Sequence, residues 1–194
     1  MPKLLCFLGD LQAGSKTAVA KPFLLDDGDE YKPSLAQNWL MECYTDAIEK
    51  VKYHAIGHDL HLKLGGDMVD GHHHDSSQVF GTDEDQQSLA VELAMPFMNM
   101  AVRCDALRGT DAHTGPSGDG DRAVYRKLGV HDDNIKYLFN QDYDGALLNW
   151  AHHTPAGRKP NTRGNSMKAL INEIYFQNLE ENIRIPSLIV RHHV

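Results

Sequence analysis

Leu60-His61-Leu62-Lys63-Leu64-Gly65-Gly66-Asp67-Met68-Val69-Asp70-Gly71-His72-His73-His74 is the stretch whose reading decides the fold. Leucines at 60, 62 and 64 alternate with polar residues, the period of a strand with one buried face. The glycine pair 65–66 ends that strand by allowing a tight backbone turn, which places Asp67 at its carboxyl end. In open α/β sheets that edge is where ligands bind. A carboxylate there, with another three residues on and three consecutive histidines behind it, has the composition of a divalent-metal site. The plainer reading is a polar loop in which Asp70 caps the next helix; the rest of the chain weighs against it by repeating the pattern.

Upstream, the apolar run Leu4 to Leu8 reads as the first buried strand, too short for a signal-peptide core or a membrane span. It runs into Gly9-Asp10-Leu11-Gln12-Ala13-Gly14-Ser15, again an aspartate at a strand end, and the Asp-x-Gln spacing lets both side chains face one side of an extended turn. The acidic run 26–30 reads as a solvated loop. A helix from Ser34, its N-cap, carries Leu35, Trp39, Leu40, Cys43, Ala47, Ile48 and Val51 on one stripe. A second helix is expected from about Glu84 to Ala101, with Thr82 near its start, a kink at Pro96 and its methionines in the core. Cys104 to Arg108 reads as a third strand, ending in Gly109-Thr110-Asp111-Ala112-His113-Thr114-Gly115. Helices between such strands imply parallel crossovers, so the three ends should converge on one edge.

The second half continues in kind. A short helix at 123–128 stops at Gly129, strands are expected at 135–139 and 146–150, a helix at 166–179 and a last strand at 186–190. The strand at 146–150 delivers His152-His153, and the last delivers Arg191-His192-His193-Val194. Singly, each histidine is as well explained by packing. Together, five strand ends bearing Asp/Gln, Asp, Asp/His, His and His are hard to explain that way.

Composition bounds the rest. With 194 residues and 41% hydrophobic content the chain can bury a real core, and no linker divides it, so one domain over residues 1–194 is expected. The balance of 27 acidic to 19 basic residues, a formal charge of −8, disfavours broad electrostatic binding to nucleic acid or anionic membrane. Arg158, Lys159 and Arg163 form the one compact basic group and read as a solvated loop. Ten of the 12 histidines fall in or beside internal, irregular clusters, unlike a purification tag. Cys6, Cys43 and Cys104 are odd in number and lack a CxxC pair, which suits a reducing cytoplasm.

Taken in order, these motifs resemble those of the calcineurin-like metallophosphoesterases: D-x-H, GDxxD, GNH[DE], a lone His and GHxH. Here they stand as Asp10-x-Gln12, Gly66-Asp67-x-x-Asp70, Gly109-Thr110-Asp111-x-His113, His152/His153 and His193, spanning residues 3 to 194. The chain looks most like divergent, phage-type members. The resemblance implies an α/β sandwich of mainly parallel central strands flanked by helices, and a phosphoesterase acting on phosphate esters, phosphodiesters before monoesters, with nucleic acid ends among the substrates considered. It implies two divalent ions, Mn2+ first and Fe, Zn or Mg as alternatives, bridged by Asp67 and holding a hydroxide for in-line attack at phosphorus. Asp10 and Gln12 would hold one ion; Thr110 or Asp111, His153 and His193 the other. His113 would sit beside the phosphate as charge stabiliser or acid, and Asp70 would orient its loop rather than bind metal.

The departures are specific. Gln12 replaces a histidine and offers a neutral oxygen; Thr110 replaces a ligand asparagine. The H-x-H pair would need a histidine at position 195, whereas the chain ends at 194. The Asp10 ion is therefore expected to be the weaker one, in a truncated or poorly active form. Two rival readings follow: a catalytically impaired metal-binding or regulatory protein with the same fold, and a histidine-metal nuclease of unrelated fold, which the strand–helix alternation disfavours.

Overall fold

The computed structural model describes residues 1–72, 78–80, 82–115, 117–153 and 165–193. The expected histidines 73 and 74 and the basic group 158–163 lie outside the described residues. The chain forms two compact units, Met1–Ile135 and Lys136–Val194.

The first unit begins with β1 (Lys3–Leu8), a small antiparallel pair β2 (Phe23–Leu24) and β3 (Glu30–Tyr31), and helix α1 (Leu35–Ala55). β4 (Asp59–Leu64), α2 (Asp83–Met98) and β5 (Arg103–Leu107) follow, then α3 (Asp111–Thr114), α4 (Asp119–Lys127) and β6 (Ile135–Lys136). The main sheet has the order β1-β4-β5-β6, and β1 and β5 both pair with β4 in parallel, as helical crossovers require. This is the α/β architecture with a parallel central sheet and flanking helices that the sequence pattern predicts.

Local signals set the helix ends. Ser34 Oγ accepts from the Gln37 amide at 3.3 Å and Gln37 Oε1 accepts from the Ser34 amide at 3.0 Å, a reciprocal cap. Thr82 Oγ1 caps α2 through the Asp85 amide at 3.1 Å, and Asp83, Glu84 and Asp85 place negative charge against the helix N-terminus. α2 ends at Met98, three residues short of expectation, two residues after Pro96. α4 starts at Asp119 rather than 123, because Gly118 turns the chain in the left-handed region at φ 66°.

β4 departs from the expected strand with one buried face: it is buried on both. Leu60, Leu62 and Leu64 pack in one cluster with Ile48 of α1, Leu89, Leu93 and Phe97 of α2 and Val124 and Tyr125 of α4. On the other face Lys63, wholly buried, forms an ion pair with Asp105, its partner in register on β5, and Arg103 Nη2 donates to the same carboxylate at 3.0 Å. A strand flanked on both sides in a parallel sheet has no solvent face, so its polar alternates need partners. Burial pushes the Lys63 ammonium below its usual range, and Asp105 opposes that shift.

The second unit holds β7 (Leu138–Tyr143), β8 (Ala146–His153), α5 (Asn165–Glu180) and β9 (Leu188–His193). The strand expected at 135–139 is two: 135–136 belongs to the first sheet, and the chain enters the second sheet at Leu138. β7 and β8 form a hairpin through Asp144 and Gly145, with φ 53° and 95°, as a two-residue primed turn demands. β9 joins β8 in parallel. Phe139 and Trp150 stack at 5.2 Å between ring centres and are both buried.

Candidate metal centre

The β1–β4 ladder does not stop where the strands do. Past Leu8 and Leu64 the Asp10 amide donates to Gly66 O (2.9 Å), Gln12 to Asp67 O (2.9 Å), Ala13 to Met68 O (3.0 Å) and Asp70 to Ala13 O (3.0 Å). Segments 10–13 and 66–70 are thereby held side by side as though still in a sheet. Three of their non-glycine residues lie in the left-handed region: Asp10 at φ 53°, Gln12 at 43° and Asp67 at 50°. Such conformations cost of order 1–3 kcal/mol each and persist where surrounding bonds over-determine them. Their effect is to bring carboxylate oxygens of Asp10 and Asp67 within 4.8 Å of one another, a pair that could hold a metal ion. Asp67 is wholly buried. Two acid groups this close, one of them out of water, fit a divalent cation by charge and by hard oxygen chemistry.

The loop after β5 closes over Asp67. The Thr110 amide donates to Asp67 Oδ1 at 2.6 Å, and its hydroxyl lies 3.1 Å from both Asp67 oxygens. Gly109 has no room for a side chain, since a Cβ there would overlap Asp67 Oδ1. Of the two open candidates in this motif, Thr110 meets Asp67, while Asp111 is exposed as the first residue of α3.

His113, on α3, is 14% exposed at its side chain. Its Nδ1 lies 2.8 Å from the Asp70 carbonyl, which can only accept, so Nδ1 carries the proton. Nε2 then holds a lone pair and accepts from Gln12 Nε2 at 3.2 Å; it stands 3.9 Å from Asp67 Oδ2. Asp70 is buried, with Oδ1 3.7 Å from His113 Nδ1 and Oδ2 without a hydrogen-bond partner among the described residues. His72 does not join this group: its Nε2 pairs with Asp83 Oδ1 at 2.7 Å at the start of α2.

One residue of the centre went unread in the sequence. Asp121 of α4, wholly buried, accepts from the amides of Asp67 (3.1 Å), Met68 (2.9 Å) and Gly109 (2.9 Å). Burial pushes its pKa up to about 7; the three amides pull the other way, and neighbouring Asp67 adds to the rise. The available signal was positional, because Asp121, Val124 and Tyr125 share one stripe of α4, continued by its C-cap Leu128, and the aspartate lies on that apolar side.

In the second unit, strand alternation separates the adjacent histidines. His152 is wholly buried on the face that also carries Trp150 and His192, and its ring lies 6.3 Å from that of His192, nearly parallel at 7°. Trp150 Nε1 donates to His192 Nε2 at 3.0 Å. Burial, then His152, lowers the His192 pKa to about 4. His153 is exposed on the opposite face, in register with His193. The rings that share a face are therefore those of His152 and His192, while the resemblance names His153 and His193.

Within the first unit, then, the structure brings together Asp10, Gln12, Asp67, Thr110 and His113, and leaves Asp111 aside. No family model, no curated protein and no solved structure matches this chain. Among the described residues no helix is long and apolar enough to cross a membrane.

Proposed function

We propose that the chain is a metal-dependent phosphoesterase acting on phosphodiesters, with manganese as its first metal. The observation that carries this reading is the convergence of Asp10, Asp67, Thr110 and His113 at the carboxyl edge of a parallel sheet, in the order in which the resembling family carries its motifs. Divalent ions held there would supply an activated water and neutralise charge on the phosphoryl oxygens. Asp67, held by the Thr110 amide and hydroxyl, and Asp10 would hold a divalent ion through their carboxylates. The resemblance assigns His153 and His193 to the second ion; within the second unit the rings that share a face are those of His152 and His192.

His113 supports the leaving-group side of the reaction. Its Nδ1–H is fixed on the Asp70 carbonyl, which aims Nε2 toward Asp67 and Gln12. A proton carried at Nε2 would pass to the departing alkoxide, and the Asp70 carboxylate, 3.7 Å from Nδ1, would stabilise the charged ring meanwhile. For that, Gln12 must release Nε2. The Gln12–His113 bond therefore favours the second reading, a metal-binding protein of low turnover.

The test is hydrolysis of bis(p-nitrophenyl) phosphate with added Mn2+, alongside melting with Mn2+ or EDTA. Turnover together with a raised Tm, both lost in Asp67→Asn, is the expected result. A metal-dependent Tm without turnover points to the regulatory reading. A Tm indifferent to Mn2+ and EDTA, with no turnover, overturns both.

A further inference from the structure

We propose that Asp121 is the positioning residue of this centre, a buried carboxylate that fixes the backbones of the β4 and β5 loops and so sets where Asp67 and Thr110 stand. For its functional consequence the proposal rests on the metal reading above; for its structural content it does not.

An aspartate in the first turn of a helix ordinarily serves that helix, capping amides or complementing its dipole. The hydrogen bonds to the Asp121 oxygens come from elsewhere. Oδ2 accepts from Asp67 N and Gly109 N, and Oδ1 from Met68 N, so all three of these bonds leave α4 and reach two other loops. One turn later Tyr125 Oη donates to Leu107 O at 2.7 Å, fixing the same helix face to the end of β5. Asp121 and Tyr125 thus register α4 against the strand ends, and α4 in turn sets the spacing between the loops.

The geometry around this carboxylate leaves no slack. Gly109 is closed in by Asp67 Oδ1 and the Asp67 amide, and its hypothetical Cβ would lie 2.8 Å from Asp121 Oδ2. Asp67 is held in the left-handed region at φ 50°, and the amide that conformation orients is one of those Asp121 accepts. Three converging N–H donors need an acceptor with two oxygens. An asparagine offers one oxygen and turns an NH2 toward a donor, and a glutamate is one methylene too long for a site with no spare volume. Residues behind a metal ligand that orient it typically change metal affinity about 10- to 100-fold when replaced.

The test compares wild type, Asp121→Asn, Asp121→Ala and, as a stability control, Leu128→Ala, which opens the core at the far end of α4. Mn2+ affinity is read by calorimetry and amide exchange by NMR without metal. In the wild type the amides of Asp67, Met68 and Gly109 should be protected although they lie outside the strand ladders. In Asp121→Asn they should exchange at least about tenfold faster, with Mn2+ affinity down about 10- to 100-fold. Leu128→Ala should lower Tm and leave Mn2+ affinity unchanged. If Asp121→Asn lowers Tm like Leu128→Ala but binds Mn2+ as the wild type does, Asp121 is only a packing residue and the proposal fails. If the variants do not fold, wild-type amides that exchange at unprotected rates overturn it, and protected ones uphold it. A wild type that binds no Mn2+ but keeps these amides protected defeats the metal reading alone.

Discussion

The Thr110 hydroxyl lies 3.1 Å from each oxygen of the Asp67 carboxylate, straddling it, while the Thr110 amide binds one oxygen at 2.6 Å. A neutral side chain thus orients the central acid without adding a positive charge of its own. Thr110→Val keeps the shape and the amide bond but removes the hydroxyl. It should lower Mn2+ affinity about tenfold or more, whereas Asp111→Asn, altering an exposed carboxylate, should leave it near the wild-type value. Calorimetric titration of the two variants decides between the residues; equal losses in both would show that Asp111 is a ligand.

Gln12 Nε2 lies 3.2 Å from His113 Nε2, and the oxygen of the same amide would be a neutral ligand for a cation. Gln12→His should strengthen metal binding and free the His113 ring, raising turnover of bis(p-nitrophenyl) phosphate. Unchanged metal affinity in this variant would mean that position 12 faces His113 only.

The Lys63–Asp105 pair in the middle of the sheet makes a separate statement about stability. Asp105→Ala leaves a buried ammonium uncompensated and should cost about 3–5 kcal/mol in urea unfolding, while the double change Lys63→Met with Asp105→Leu should be close to neutral or stabilising. A small effect of Asp105→Ala would indicate that water reaches Lys63.

His192 provides a pH test. Its folded pKa, lowered to about 4, lies below the ordinary histidine value of about 6.5, so between the two the unfolded chain binds more protons. Its contribution to stability is therefore present in full above pH 6.5 and is lost as the pH falls toward 4. In urea titrations with EDTA, wild type should lose stability across that window more steeply than His192→Gln. Parallel pH curves for the two would show that His192 is as easily protonated in the fold as in water.

What was legible in the sequence was what depends on local chemistry. Ser34 announces a cap and Thr82 a helix start; Gly-Asp after alternating leucines marks a strand end, and the structure keeps all three. Long-range pairing was not legible. Lys63 looks like the wet side of a strand until Asp105 is known to stand opposite it, forty-two residues on. Asp121 looks like a helix-start acid until its oxygens are followed to Asp67 and Gly109. Residues 135–139 read as one strand because the apolar pattern runs on while the backbone changes sheets. Which of His152 and His153 is buried turns on strand parity, which the expected end of β8 at Trp150 left undetermined and the observed end at His153 fixes.

Asp10, Gln12 and Asp67 also bear on how this protein would respond to selection for robustness alone. Each sits where glycine would be more comfortable, so part of the folded state's free energy is tied up in holding these three backbones against their preference. A screen that rewards only heat resistance or soluble yield, with no metal and no substrate present, should drift toward glycine or asparagine at these positions and yield sturdier chains with an emptied centre. The same drift should cease at Asp10 and Asp67 once Mn2+ is included, because these two acids would then return more in binding than their backbones cost.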